Sequence, residues 1–250
     1  MIQIKNLSVT LENKKIIDDL SINFKPGINI IVGENGSGKS TLLKAIEGLY
    51  EYQSGEIFLN SKNIKEVKRI ERAKTISYLP QVRPIPAIDG LLLIEHGRFP
   101  YHSFSKSKNE DDEKAILEAI KFTKVENFVN KKLSSLSGGE RQKIYIAAML
   151  SQTTPIMLLD EPTTYLDLHN QIEILDMLRM MKNKTIVIVL HDLLQAFSYG
   201  DYVAVIHQGK VVLEGTPNRI YNSKKIKDIF SCELKLEDDK KSLYKFKILK

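Results

Sequence analysis

Nine residues, GENGSGKST at positions 33–41, constrain this chain more than any others. They fit the pattern G-x-x-x-x-G-K-[ST] and lie between an apolar strand, INIIV, and a helix whose apolar face is Leu42, Leu43 and Ile46. Each residue type answers a physical need. Glycines reach positive φ and turn successive N–H groups onto phosphate oxygens. The helix that follows presents the positive end of its dipole. Lys39 is placed to reach β- and γ-phosphates, and the Ser40 hydroxyl can ligate magnesium. The four fixed positions coincide by chance in roughly 1% of chains this long at average composition, and the strand–loop–helix setting lowers that further. Gly33, Glu34, Asn35, Gly36, Ser37, Gly38, Lys39, Ser40 and Thr41 are therefore expected to cradle nucleotide phosphates.

The rest of the composition bounds the setting. The chain has 250 residues, 42% of them apolar, enough for a core without metal or disulfide staples. One cysteine, Cys232, excludes an internal disulfide and a cysteine-built zinc site. The longest apolar runs, such as Ile186–Leu190, fall far short of the roughly 18 residues needed to span a bilayer. The first residues alternate like a strand and lack a signal-peptide block. The net charge of +6 and pI near 9.1 keep a nucleic-acid partner open. Nine lysines against five acids in residues 221–250 supply most of that surplus, interleaved with acids and apolar residues as on a solvated face.

Short β-branched strands alternating with helical patterns predict an α/β fold with a mixed, mostly parallel sheet. The expected strands are Asn29–Val32, Thr75–Leu79, Ile156–Leu159, Thr185–Leu190 and Tyr202–Ile206. Two antiparallel hairpins are expected as well, one turning at Glu12-Asn13-Lys14 and one near Gln208-Gly209. Residues 82–150 read as a helical insertion without strands. There Asn109 caps a helix with acids in its first turn, and Ile116, Leu117, Ala119 and Ile120 form its apolar face. The expected organisation is one domain over residues 1–220, with the insertion at about 82–150, and a C-terminal extension over 221–250 packed on the core.

Two further segments carry chemistry. The strand Ile156–Leu159 runs into Asp160 and Glu161. Beside a phosphate loop, the first acid is placed to hold magnesium. The second, one residue further at the carboxyl edge of the sheet, is the natural general base for an attacking water. LSGGERQ, residues 136–142, is a second glycine-rich helix entrance that Ser137 can cap, and so a second anion site. One nucleotide does not need two such sites in one subunit, which points to a nucleotide held by a partner.

LSGGERQ after GENGSGKST and before LLDEPT is the ordered motif set of ATP-binding cassette proteins, and over residues 2–220 the chain resembles that family. Gln81 in SYLPQ resembles its Q-loop glutamine, His191 in IVIVLHD its switch histidine, and Thr164–Asp167 its D-loop. The resemblance implies a P-loop ATPase core with an N-terminal antiparallel β subdomain, binding ATP and Mg2+. It also implies a head-to-tail homodimer in which the cradle of one copy faces Ser137, Gly138 and Gly139 of the other, with Asp167 nearby. In that arrangement Glu161 polarises water and His191 contacts the γ-phosphate, while Gln81 touches magnesium alongside Ser40 and Asp160. The other histidines, His96, His102, His169 and His207, read as surface or packing residues. One position departs from the family: Leu11 stands where an aromatic residue usually stacks on adenine. Leucine offers apolar contact without stacking, which implies loose base selectivity.

Within the family, GRFPY at residues 97–101 and GTPNRIYNSKKIKDIF near the C-terminus resemble ATPases that serve iron-siderophore, haem and vitamin B12 importers. Asp89–Leu92 departs from that subfamily's usual residues. The implied protein is a peripheral ATPase on the cytoplasmic face of the cell membrane. Its implied partners are integral membrane permease subunits and, through them, a substrate-binding protein, with no nucleic acid. The competing readings are a soluble cassette ATPase acting on nucleic acid or ribosomes, and an ATPase subunit for another transported solute.

Overall fold

The computed structural model describes residues 1–101, 109–238 and 243–248, with side chains as far as Lys235; His102 lies outside the described residues. In chain order the elements begin with β1 (Ile2–Leu11), β2 (Lys14–Phe24), β3 (Gly27–Val32), α1 (Lys39–Glu47), β4 (Ser54–Leu59), β5 (Lys62–Asn63), α2 (Arg69–Ala73) and β6 (Ile76–Leu79). There follow α3 (Gly90–His96), α4 (Glu110–Thr123), α5 (Gly138–Ser151), β7 (Ile156–Asp160) and α6 (Leu168–Arg179). The last third holds β8 (Thr185–Val189), α7 (Leu193–Tyr199), β9 (Tyr202–His207), β10 (Lys210–Gly215), α8 (Pro217–Ile220), α9 (Lys224–Phe230), β11 (Cys232–Asp238) and β12 (Leu243–Ile248). No helix among the described residues is long and apolar enough to cross a membrane. The chain divides into two compact units, residues 1–67 with 182–250, and residues 68–181.

In the first unit, β3 pairs in parallel with both β8 and β9, and β10 returns antiparallel on β9. Ile30, Ile31 and Val32 are completely buried, the continuous apolar run expected of a parallel strand covered on both faces. A separate antiparallel sheet has the order β2-β1-β4-β5. Both expected hairpins form. Glu12 and Asn13 sit at φ 48° and 63°, and Gln208 and Gly209 at 49° and 77°. Paired positive φ values match the right-handed twist of the flanking strands, so the two-residue turns hold strand register. At the C-terminal end β11 and β12 pair antiparallel. There Lys227 pairs with Glu233 at 2.5 Å and Lys225 donates to the Val212 carbonyl, so part of the local lysine surplus is neutralised or hydrogen-bonded.

In the second unit, β6 and β7 run parallel, with Leu79 opposite Leu159. The helices share a core in which Ile94 of α3, Ile116 and Ile120 of α4, and Ile144 and Ala147 of α5 are buried together. Asn109 and Ser137 each close a capping box, with Asp112 and Glu140 as the returning acids. This pattern satisfies two otherwise orphaned helix N–H groups at each end. Leu117, expected on the apolar face of α4, is instead 55% exposed. The buried face of this helix runs through Asp112, Ala115, Ile116, Ala119, Ile120 and Thr123, and Leu117, one residue and so about 100° on from Ile116, lies beyond its edge.

Arg98, the arginine of GRFPY, is only 5% exposed. Its Nε donates to Asp112 Oδ1 at 2.8 Å, and its Nη1 donates to the Ser151 carbonyl at 2.7 Å and to Thr153 Oγ1 at 3.0 Å. Tyr101 lies over the guanidinium, 3.9 Å from centroid to Cζ, and donates to the Gln152 carbonyl. The segment therefore clamps the end of α3 to the start of α4 and the end of α5, while Phe99 remains exposed against the His96 ring. Arg98→Lys keeps the charge but loses the fork geometry. It should lower stability by about 2 kcal/mol, read as a fall in the urea midpoint at unchanged slope; an unchanged midpoint would show that the fork contributes nothing.

Candidate functional site

The loop that follows β3 has the backbone expected of an anion cradle. Gly36 and Gly38 stand at φ 78° and 104°, values that side chains with a Cβ rarely tolerate. Gly38 is the N-cap residue of α1 and offers no side-chain cap, which leaves the first N–H groups of that helix to other partners. Lys39 is buried, and its Nζ donates to the carbonyls of Gly33 and Glu34, each at 2.9 Å. Its ammonium thus lies folded across the mouth of the loop. Ser37 Oγ is buried with no hydrogen-bond partner among the described residues. A buried cation and an orphaned hydroxyl inside a positive-φ loop fit a phosphate group.

The surroundings of the loop come from β2 and the β9–β10 turn. Gly209 N donates to the Ser37 carbonyl, and the Gly209 carbonyl accepts from Asp18 N. Ile16 on β2 lies beside the loop, its Cγ2 3.6 Å from where a Gly38 Cβ would stand. Leu11, at the end of β1, is partly buried and pairs across the turn with Lys14. His207 Nδ1 comes within 3.0 Å of Glu34 Oε2, at ion-pairing distance though without a directed hydrogen bond. No local pattern marks His207, because its partner is 173 residues away. His191 is exposed directly after β8, where Leu190 N bonds the Ile31 carbonyl. Its neighbour Asp192 caps α7 through Leu194 N and Gln195 N.

The acids and the glutamine belong to the second unit, and strand register explains their meeting. Leu79 and Leu159 are paired, so residues two beyond each, Gln81 and Glu161, leave the sheet edge side by side. Gln81 Nε2 donates to Glu161 Oε2 at 2.6 Å, and Thr164 Oγ1 donates to the same oxygen at 3.1 Å. Glu161 is buried and sits at φ 53°. A non-glycine residue in the left-handed region costs about 1–2 kcal/mol, a strain that concentrates at functional sites. Asp160 ends β7 completely within the fold, with the Tyr78 hydroxyl 3.5 Å from its Oδ2.

The glycine-rich entrance to α5 lies in the same unit. Ser137 and Gly138 are exposed, and Ser137 Oγ lies 2.8 Å from Glu140 Oε2. Hydrogen bonds from Ser137 hold the Glu140 carboxyl below the usual carboxylate range. Gly139 is required by close approach: a Cβ there would stand 2.3 Å from Asn170 Oδ1. Asn170 in turn binds Asp167, the cap of α6, through backbone and side chain at 2.9 and 2.7 Å. These bonds hold Asp167 below its ordinary pKa. Ser137, Gly138, Gly139 and Asp167 are thus parts of one connected surface, reinforced by a Lys143–Glu173 ion pair at 2.6 Å. Among the described residues no group of three or more His, Cys, Asp or Glu could hold a metal ion. Magnesium here would accordingly take most of its shell from phosphates and water.

The ABC transporter family model matches residues 17–164, more than half of the chain. The chain belongs to the ABC transporter family. YusV of Bacillus subtilis (strain 168), a probable siderophore transport system ATP-binding protein, is 38% identical over 95% of this chain and 88% of its own length. FpuD of Bacillus anthracis, a petrobactin import ATP-binding protein, is 36% identical over 95% of this chain and 89% of its own. Among solved structures, the dimeric post-hydrolysis state of the ATP-binding cassette MJ0796, bound to ADP and Pi, superposes with a TM-score of 0.74. It is 28% identical, covering 87% of this chain and 99% of that one. The cassette fold expected from the motif order is therefore the fold of this ABC protein.

Proposed function

We propose that this chain is the ATP-hydrolysing subunit of a membrane importer whose cargo is an iron chelate. One observation carries the ATPase reading. A phosphate cradle with a buried lysine and a strained, hydrogen-bonded glutamate directly after a motif strand occur in one chain. The names of YusV and FpuD, matched along nearly the whole chain, support siderophore import. The exposed Ser137 and Gly138 support a second copy as partner, since a lone chain has no use for a second anion-binding helix end.

In this reading Lys39 exchanges its loop carbonyls for the β- and γ-phosphate oxygens, and the loop N–H groups take the rest of the triphosphate charge. Magnesium, when bound, neutralises charge developing between those phosphates, and Ser40 and Asp160 would hold it, with Gln81 close by. Glu161 accepts the proton of the water that attacks the γ-phosphorus. His191 steadies the γ-phosphate. Ser137, Gly138, Gly139 and Asp167 of the partner copy close the nucleotide from the far side. Leu11 and Ile16 offer adenine an apolar surface without stacking. The complex is a homodimer seated on permease subunits at the cytoplasmic face of the membrane, fed by a substrate-binding protein.

The test is to purify the chain with its permease in lipid discs and add binding proteins loaded with ferric hydroxamate, ferric catecholate, haem or cobalamin. Several-fold stimulation of ATP hydrolysis by one ferric chelate is expected. Stimulation only by cobalamin or an unrelated solute would overturn the cargo. Stimulation only by DNA or RNA, weakening steeply with salt, would overturn the transporter.

A further inference from the structure

The segment between β6 and α3 is held at two points two residues apart. Gln81 reaches Glu161, as described, and Arg83 reaches α5: its Nη2 donates to Gln142 Oε1 at 2.7 Å. The Arg83 guanidinium also lies over Tyr145, 4.4 Å from the ring centroid, and the Tyr145 hydroxyl stands 3.4 Å from the Pro84 carbonyl. Between the anchors Val82 is 83% exposed, and beyond them Ile85 is 49% exposed. Prolines at 80, 84 and 86 fix their own φ and restrict the residues before them to extended backbone. A stiff rod pinned at Arg83 carries its pin to Gln81, because two residues span no more than about 7 Å.

The pin is incomplete. Arg83 Nη1 and Gln142 Nε2 are both buried with no hydrogen-bond partner among the described residues, and Gln142 is only 4% exposed. A carboxylate at position 142 would accept both guanidinium nitrogens and remove both orphans. Glutamine instead leaves one bond made and two groups unsatisfied. Buried unsatisfied groups are costly, so the pinned state is held with little margin.

We propose that Arg83 is a positioning residue for hydrolysis: through Gln142 and Tyr145 it keeps Gln81 on the Glu161 carboxylate and so restrains the general base. The proposal rests on the reading of Glu161 as that base. With Arg83 in place, the free tether around Gln81 is the few residues between Leu79 and Arg83. Without it, only the long Tyr145 bond to the Pro84 carbonyl, at 3.4 Å, holds the segment before the next backbone anchors, Leu133 N on the Ile88 carbonyl and Gly90 N on the Lys131 carbonyl. The longer tether raises the entropic cost of returning Gln81 to Glu161. Glu161 Oε2 then keeps the Thr164 bond at 3.1 Å but loses the shorter one to Gln81 at 2.6 Å, and so spends more time able to accept a proton from water.

The test compares steady-state ATP hydrolysis by the full-length chain with Mg2+, carrying Arg83→Ala, Gln142→Glu, and Arg83→Ala in a Gln81→Ala background. Arg83→Ala should raise kcat about fivefold, the population change that follows loss of one ordinary hydrogen bond, with KM for ATP within about twofold. Gln142→Glu, which completes the pin, should lower kcat. In the Gln81→Ala background Arg83→Ala should change nothing, because a positioning residue acts only through what it positions. An Arg83→Ala rate unchanged or slowed, or an effect that persists without Gln81, overturns the proposal. Should Arg83→Ala fail to fold, an unchanged or faster Gln142→Glu overturns it instead. Absence of hydrolysis in the unsubstituted chain overturns the ATPase reading itself, and this proposal with it.

Discussion

Glu161→Gln is expected to bind ATP with near-normal affinity and to hydrolyse it 10²–10⁴-fold more slowly, the usual weight of a positioned general base. The substitution is close to isosteric, and the φ of 53° at this position imposes the same strain on either side chain. The amide oxygen still accepts from Gln81 Nε2 and Thr164 Oγ1, the two donors that now meet at Glu161 Oε2. What is lost is proton affinity, since an amide oxygen does not accept a proton from water near neutral pH. Phosphate binding, carried by the loop and Lys39, is untouched. With turnover blocked, ATP should accumulate a stable dimer, seen as a shift to twice the mass on gel filtration. Hydrolysis near the unsubstituted rate would remove Glu161 from the role of base. A chain that stays monomeric with ATP bound would count against closure by a second copy.

How this site could be read from sequence, and how far, follows from the range of each interaction. The two hairpin turns were legible because Asn13 and Gly209 are residue types suited to positive φ, a purely local demand. The caps at Asn109 and Ser137 were legible for the same reason, each with its acid three residues on. The cradle was legible because its fixed residues are contiguous. Arg98 was not: a charged residue reads as solvent-facing, and only the tertiary fold brings Asp112 and the end of α5 to its guanidinium. Leu117 failed in the opposite sense, an apolar residue one step off the buried stripe of α4. The contact of Gln81 with Glu161 joins residues 80 apart. It needs the register of β6 on β7, which no local pattern specifies. His207 against Glu34 and Arg83 against Gln142 escaped for that reason too.

Lys39→Ala tests the cradle most severely. Lys39 is a buried cation whose ammonium bridges two loop carbonyls at 2.9 Å each, so its removal takes away the positive charge at the mouth of the loop. Removing one partner of a buried, hydrogen-bonded charge pair costs 2–5 kcal/mol or more, which corresponds to at least about a 30-fold rise in Kd for ATP. The loss should be largest for ATP, smaller for ADP and least for AMP, because a β- and γ-phosphate contact weakens as those phosphates are removed. Folding should survive: the carbonyls of Gly33 and Glu34 border an exposed stretch of loop, where water replaces the ammonium at little cost. Titration with a fluorescent ATP analogue, together with a thermal melt, separates the outcomes. A normal melt with lost affinity is the expected result. A normal melt with ATP affinity within a few-fold of the unsubstituted chain would mean that the loop holds its nucleotide without Lys39, and the assignment of residues 33–41 would fall with it.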